Sequence, residues 1–186
     1  MGKWVGSVKK CVIVGAGMCD AQRLKRQITL DENDLCIAAD GGLDYLTAIG
    51  LMPDLVIGDM DSLEHKEGLD FSHADFRIKR LPYEKDDTDM LAAIKEGLAA
   101  GYRQFMLYGA LGGRFDHIIA NIQCLLYLSN RGAKGVLVGD DVTLMLIRNE
   151  KVDFPAGSAE AGNRISVFAF GGDAHGVSEK GLKYLL

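Results

Sequence analysis

No two cysteines in this chain stand at Cys-x-x-Cys spacing. Cys11, Cys19, Cys36 and Cys124 are scattered, and three of them lie in or beside apolar runs. Buried free thiols in a reducing compartment are therefore expected, rather than zinc ligands or disulfides. His65, His73, His117 and His175 also lack short metal-ligand spacing, which argues against transition-metal chemistry. Basic residues are outnumbered, 21 Lys and Arg against 26 Asp and Glu, for a formal net charge of −5. This balance argues against a broad basic face for nucleic-acid backbones, so an anionic ligand must be held locally or through a cation. Long apolar runs are missing as well. Lys9 and Lys10 precede only Cys11 to Val14, too short for a signal-peptide core or a membrane span. Gly2 follows Met1, but Gly6 occupies the place where myristoylation needs Ser or Thr. The expectation is a cytoplasmic protein without membrane or nucleic-acid partners, and the chain shows no low-complexity segment or internal repeat.

What is present is ordinary globular material: 186 residues, 48% hydrophobic and 25% charged, enough for one sizeable core and a small appendage. Continuous apolar segments recur at Cys11 to Val14, Leu35 to Ala39, Leu55 to Ile57, Phe105 to Tyr108 and Val136 to Val138. Unbroken runs of this length suit strands buried on both faces of a parallel sheet. A further strand is expected over Phe76 to Arg80. Helical periodicity lies between them, over Asp89 to Ala100 (Met90, Ile94, Leu98) and His117 to Asn130 (Ile118, Ile122, Leu125, Leu126). The alternation predicts an α/β fold, an open and mostly parallel sheet with flanking helices, over residues 1–139. After Gly139 the pattern turns to strand-like stretches, Val142 to Ile147 and Arg164 to Phe170, between Gly and charged turns. A small, incomplete all-β C-terminal portion over residues 140–186 is expected.

In an open parallel sheet, ligands collect beyond the carboxyl ends of the strands. Leu35 to Ala39 ends in Asp40-Gly41-Gly42. Leu55 to Ile57 ends in Gly58-Asp59-Met60-Asp61-Ser62, and Phe105 to Tyr108 leads through Gly109 to Gly112-Gly113-Arg114-Phe115-Asp116-His117. Asp59 and Asp61 are two apart, so in an extended segment their carboxylates project to one side. A third acidic group, Lys85-Asp86-Asp87-Thr88-Asp89, opens a helix. Two carboxylates about 4 Å apart repel by about 4 kcal/mol at an effective dielectric near 20, so convergence calls for protonation or a cation. Hard carboxylate oxygens that leave room for phosphate oxygens are what Mg²⁺ uses.

Each element has a plainer reading. Asp86, Asp87 and Asp89 suit a helix N-terminus, the commoner meaning of an isolated acidic turn. Asp40-Gly41-Gly42 fits a strand-to-helix turn, and Asp59-Met60-Asp61 two solvated turn residues. Taken singly each favours structure; together, at successive strand ends, they favour a site. Gly112-Gly113-Arg114 supplies a backbone that can approach phosphate, then a guanidinium and a helix N-terminus. Asp116 reads equally as a helix cap or as a substrate or metal-water contact. Gly15-Ala16-Gly17 has Asp20 where a dinucleotide fingerprint wants Gly, and is expected to be a turn bordering the nucleotide.

Together, Asp40-Gly41-Gly42, Pro53 through Ser62, Lys85-Asp86-Asp87-Thr88-Asp89 and Gly112 through His117 resemble the thiamine pyrophosphokinase family in order and spacing. The resemblance continues weakly through Gly176-Val177 and Lys180 to Tyr184. It implies transfer of the terminal diphosphate of ATP to the hydroxyethyl oxygen of thiamine, with release of AMP. It further implies that Asp59, Asp61 and Asp89 hold Mg²⁺ against the ATP phosphates, with Asp40 nearby and Arg114 steadying phosphate charge. Gly41, Gly42, Ser62, Lys85, Asp86, Thr88, Gly112, Gly113, Asp116 and His117 would line the nucleotide and substrate cleft. A homodimer is implied, with the β portion serving dimerisation and acceptor binding. Members of the family usually continue beyond the Gly-Leu-Lys-Tyr segment, so either a shortened chain or an altered thiamine pocket is expected.

Two other readings compete. Asp59-Met60-Asp61 after an apolar strand superficially resembles the loop of haloacid-dehalogenase phosphatases, in which the first Asp is a nucleophile. That loop normally follows the first core strand, and Leu63 stands where it has Thr or Val. The other is a non-catalytic nucleotide-binding module.

Overall fold

The computed structural model describes residues 8–59, 76–82, 84, 86–154 and 164–182. Residues 6–150 form one compact unit, and the chain from Lys151 onward belongs to a second.

The first unit is built on β1 (Cys11–Val14), β2 (Leu35–Ala39), β3 (Leu55–Gly58), β4 (Arg77–Arg80), β5 (Gln104–Tyr108), β6 (Lys134–Val138) and β7 (Thr143–Met145). Four helices among the described residues accompany them: α1 (Ala21–Gln27), α2 (Gly42–Ala48), α3 (Asp89–Ala99) and α4 (Phe115–Ser129). The strands lie in the order β4-β3-β2-β1-β5-β6-β7. Every neighbouring pair is parallel except β6 and β7. The unbroken apolar runs follow from this arrangement. β1, β2 and β3 are buried along their whole length, whereas the edge strand β4, Arg-Ile-Lys-Arg, is exposed throughout.

Alternation along each buried strand divides its side chains between two cores. Cys11, Ile13, Ile37, Ile57, Phe105 and Leu107 face a layer with Met90, Ala93 and Ile94 of α3 and Cys124, Leu125 and Leu128 of α4. Val12, Val14, Cys36, Ala38, Val56 and Tyr108 face the opposite layer with Leu24 of α1 and Leu43 and Leu46 of α2. Burial of each such Leu or Ile contributes about 1.5–3 kcal/mol. The handedness of crossovers explains why the helices fall in these pairs. Right-handed connections moving from β1 toward β3 put α1 and α2 on one face; connections in the reverse sense put α3 and α4 on the other.

Local chemistry sets the helix starts. Asp20 caps α1 by accepting the Arg23 amide at 2.8 Å, and Lys25 and Arg26 in its last turn complement the helix dipole. Thr88, not one of its acidic neighbours, caps α3 by accepting the Leu91 amide at 3.2 Å.

Beyond residue 139 the structure departs from the expected β-rich portion. Val142 to Ile147 does contain a strand, β7, but a tight turn (Gly139 amide to Val142 carbonyl, 2.8 Å) folds it back antiparallel on β6. Leu144 and Leu146 pack on one core and Met145 on the other, so this strand completes the main sheet. The compact unit accordingly ends at Glu150 rather than at residue 139. Arg164 to Phe170, expected as a strand, belongs to no sheet among the described residues. Its Ile165, Val167, Phe168 and Phe170 are exposed.

Candidate active site

The strand order reverses between β1 and β5: the chain winds outward from β1 to β4, then returns to β1's other side. Such a reversal opens a crevice at the carboxyl end of the sheet, because the loops after the two strands lead away to opposite faces. The described residues of the expected motifs lie at this end. Asp40 follows β2, Asp59 follows β3, Gly112-Gly113-Arg114 follows β5, and α3 and α4 begin with Asp89 and Phe115.

The floor of the crevice is backbone packed on backbone. A Cβ on Gly42 would stand 1.8 Å from the Val14 carbonyl oxygen, so α2 can start against β1 only without a side chain there. The Gly17 amide donates to the Gly109 carbonyl at 2.9 Å, and a Cβ on Gly112 would meet the Met18 carbonyl oxygen at 2.6 Å. The loop after β1 is thereby wedged onto the loop after β5. Gly15-Ala16-Gly17, expected to be a turn bordering the nucleotide, is the backbone platform of the crevice.

Asp40 sits at the end of β2 with φ +50°, one of two non-glycine residues with positive φ among those described. Its amide donates to the Ile57 carbonyl at 2.8 Å, and Gly58 packs against its Cα, where a Cβ would be 3.2 Å away. Left-handed backbone costs a non-glycine residue about 1 kcal/mol or more, which Asp tolerates better than most. The turn swings Asp40 off the strand axis directly beside the start of Asp59's loop. Asp40 and Asp59 are both half-buried.

Asp89 enters from α3. This helix runs down the sheet: a Cβ on Gly15, at the carboxyl end of β1, would be 2.9 Å from the Met90 methyl, and one on Gly97 would meet Cys11 Sγ at the other end. Asp89 therefore opens α3 next to the crevice, half-buried, with Thr88 behind it as cap and Asp86 exposed. Asp87 is taken by an ion pair with Lys95, nearly two turns into the helix. Asp61, Ser62 and Lys85 lie outside the described residues. Among the described residues no three His, Cys, Asp or Glu groups gather closely enough to hold a metal on their own.

Arg114 and Asp116 form a two-point pair, with Nε at 3.2 Å and Nη2 at 2.6 Å from the two carboxylate oxygens. The Arg114 hydrogen bond holds the Asp116 carboxyl below its ordinary value. Asp116 is thus an ion-pair partner in the first turn of α4 rather than its cap. Both side chains are mostly exposed, as is His117. Buried Asn121 holds the loop from beneath by donating to the Ala110 carbonyl at 2.9 Å.

Sequence reasoning passed over the residues that hold the β1 loop from its other side. Asp140 accepts the Asp20 amide with both oxygens at 3.1 Å, and Arg23 donates to the Asp140 carbonyl at 2.8 Å and pairs with Asp141. The signal available was Asp20 preceding an Ala-Gln-Arg-Leu-Lys-Arg-Gln run, a capped helix too short to show a clear apolar stripe. No periodicity links it to Asp140.

The chain matches the family model described as thiamin pyrophosphokinase, catalytic domain, over residues 27–137. It is 32% identical over 161 residues to thiamine pyrophosphokinase of Bacillus subtilis strain 168, covering 84% of this chain and 72% of that one. Against thiamine pyrophosphokinase 1 of Oryza sativa subsp. japonica the identity is 29% over 149 residues, 68% of this chain and 56% of the relative. The crystal structure of thiamine pyrophosphokinase from Bacillus subtilis superposes with a TM-score of 0.59 at 27% identity, covering 70% of this chain and 60% of that chain. The chain thus spans somewhat more than half the length of the rice relative and of the solved structure.

Proposed function

Because the chain belongs to the thiamin pyrophosphokinase family, we propose that it transfers the terminal diphosphate of ATP to the hydroxyl of thiamine, giving thiamine diphosphate and AMP. The observation that supports this reading is that Asp40, Asp59, Asp89 and Gly112-Gly113-Arg114 all stand beyond the carboxyl ends of the strands, on the side of the sheet where such folds bind ligands. Haloacid-dehalogenase chemistry is not favoured: Asp59 follows the third strand of the chain, and the family match covers both sides of it.

The candidate ligands are carboxylates only, a hard-oxygen set that suits Mg²⁺ and leaves positions for phosphate oxygens. Asp59 and Asp89 would hold the ion together with Asp61, and its charge would offset that of the phosphates. The chain's own groups supply position. Gly112 and Gly113 let the backbone close on a phosphate, and Arg114 is exposed at the start of α4, from where its guanidinium can follow charge as it moves. Asp40, fixed by its left-handed turn, would orient the attacking alcohol. Gly41, Gly42, Asp86, Thr88, Asp116 and His117, with Ser62 and Lys85, would form the walls. Phosphoryl transfer needs little covalent help, so positioning and electrostatics dominate.

The chain from Lys151 onward is proposed to serve acceptor binding and homodimer formation, which its exposed Ile165, Val167, Phe168 and Phe170 support. A cytoplasmic location is part of the same reading. Among the described residues no helix is long and apolar enough to cross a membrane. The decisive test is product analysis with ATP, Mg²⁺ and thiamine. AMP and thiamine diphosphate in equal amounts are expected, whereas ADP as the sole initial product would reveal an ordinary kinase and sink the proposal.

A further inference from the structure

The loop joining β1 to α1 is gripped on two sides. Toward β5, Gly17 donates to the Gly109 carbonyl and Met18 lies against Gly112. Toward β6, the turn after Val138 reaches across to the start of α1. Both Asp140 carboxylate oxygens accept the Asp20 amide, Arg23 Nη1 donates to the Asp140 carbonyl, and Arg23 pairs with Asp141. Further along α1, Gln27 Nε2 donates to the Gly139 carbonyl at 3.3 Å. Asp20 and Asp140 are 120 positions apart in sequence, so this contact joins the first loop of the sheet to the last. The amides of Asp20 and Arg23 at the start of α1 are thereby already taken by carboxylates.

We infer that Asp140 and Arg23 are positioning residues for nucleotide binding: they latch the β1–α1 loop so that Met18 holds the Gly112-Gly113-Arg114 turn in its phosphate-receiving shape. The inference rests on the nucleotide reading of the site. Asp140 is engaged with the start of α1 rather than placed among the proposed ligand groups. Its effect passes through the Asp20 amide, Met18 and Gly112.

The test compares the full chain with its Asp140→Ala, Asp140→Asn and Arg23→Ala variants, with Glu150→Gln as control for an ion pair to Lys134 at the other end of β6. Mg-ATP binding is measured by calorimetry, KM and kcat with both substrates, and amide exchange over residues 15–20. Asp140→Ala is expected to weaken Mg-ATP about tenfold, the scale of one hydrogen bond to a charged group. Its thiamine KM should stay near wild type, and exchange in the loop should quicken. Asp140→Asn keeps an acceptor oxygen and should restore most of the affinity; Arg23→Ala should fall between. Unchanged Mg-ATP affinity in Asp140→Ala overturns the inference. So does a parallel loss of kcat and of affinity for both substrates, which would mark a general structural role. If the wild-type chain binds no Mg-ATP, the nucleotide reading itself has failed. The exchange measurement then still reports on the latch, and unchanged exchange would refute it.

Discussion

At the scale of single residues, charge and burial separate groups placed for chemistry from groups placed for folding. Asp59 is half-buried at the end of β3, one strand from Asp40, and carries the proposed metal role. Asp59→Asn should lower kcat by more than about a hundredfold. The melting temperature should stay within about 4 °C, since no core contact is removed. Near-normal turnover would remove Asp59 from the metal site. Arg114 behaves differently, because its pair with Asp116 is exposed and screened. Arg114→Ala should leave stability unchanged while lowering kcat and raising the KM for ATP, which steady-state kinetics beside thermal melts would check. The thiols form a third group. Burial pushes Cys36 up to about 12 and Cys19 and Cys124 up to about 11, and raises Cys11 also. Almost no thiolate exists at pH 8, so iodoacetamide should label the native chain slowly and the denatured chain fast. Rapid native labelling would contradict the burial.

The strands and helices were unevenly legible at the scale of elements. β1 and β2 stand where their apolar runs begin and end, because a strand buried on both faces must be apolar at every position. α1 and α2 were not legible, since seven residues hold too few turns for a stripe. β7 is legible as a strand but its partner is not: Thr143 to Met145 carries the composition of a strand, and nothing local says that it joins β6. In the candidate site, the acids announced themselves by standing at strand ends. The glycine packing and the Asp140 contact did not, because both depend on which loops meet. Two tests belong here. Gly42→Ala should destabilise by more than about 2 kcal/mol, because its Cβ would enter the Val14 carbonyl and the start of α2 would have to move. A denaturant midpoint close to wild type would show that α2 can shift freely. At the opposite end of the sheet, Asp34 ties β1 to β2 by accepting from the Lys10 amide at 2.8 Å and the Lys10 ammonium at 2.6 Å. Burial raises its carboxyl, but the Lys10 contacts and the Asp31 amide outweigh it and hold the group below the ordinary carboxylate value. The stabilisation is thus present above the ordinary carboxylate range and lost as pH falls through the depressed value. Asp34→Ala should destabilise at pH 7 by about 1.5–3 kcal/mol and by much less near pH 2. An equal loss at both pH values would dissociate Asp34 from acid unfolding.

For the molecule as a whole, the buried hydrophobic residues among those described all fall between Cys11 and Val138. A polypeptide ending at Glu150 should therefore unfold in one cooperative transition with nearly the melting temperature of the longer chain, and should bind Mg-ATP. A broad, non-cooperative melt would show that the later residues help hold the sheet. The reversal of strand order also matters during synthesis. β2, β3 and β4 follow β1 in the chain and can assemble on one of its edges as they leave the ribosome. The other edge, four fully buried residues in the finished sheet, has no partner until Gln104–Tyr108 has been made. At about 5–20 residues per second that interval is on the order of ten seconds. Throughout it the nascent chain carries an open apolar edge of the kind that recruits chaperones or aggregates, so the vulnerable stage of this protein's life precedes the crevice it uses.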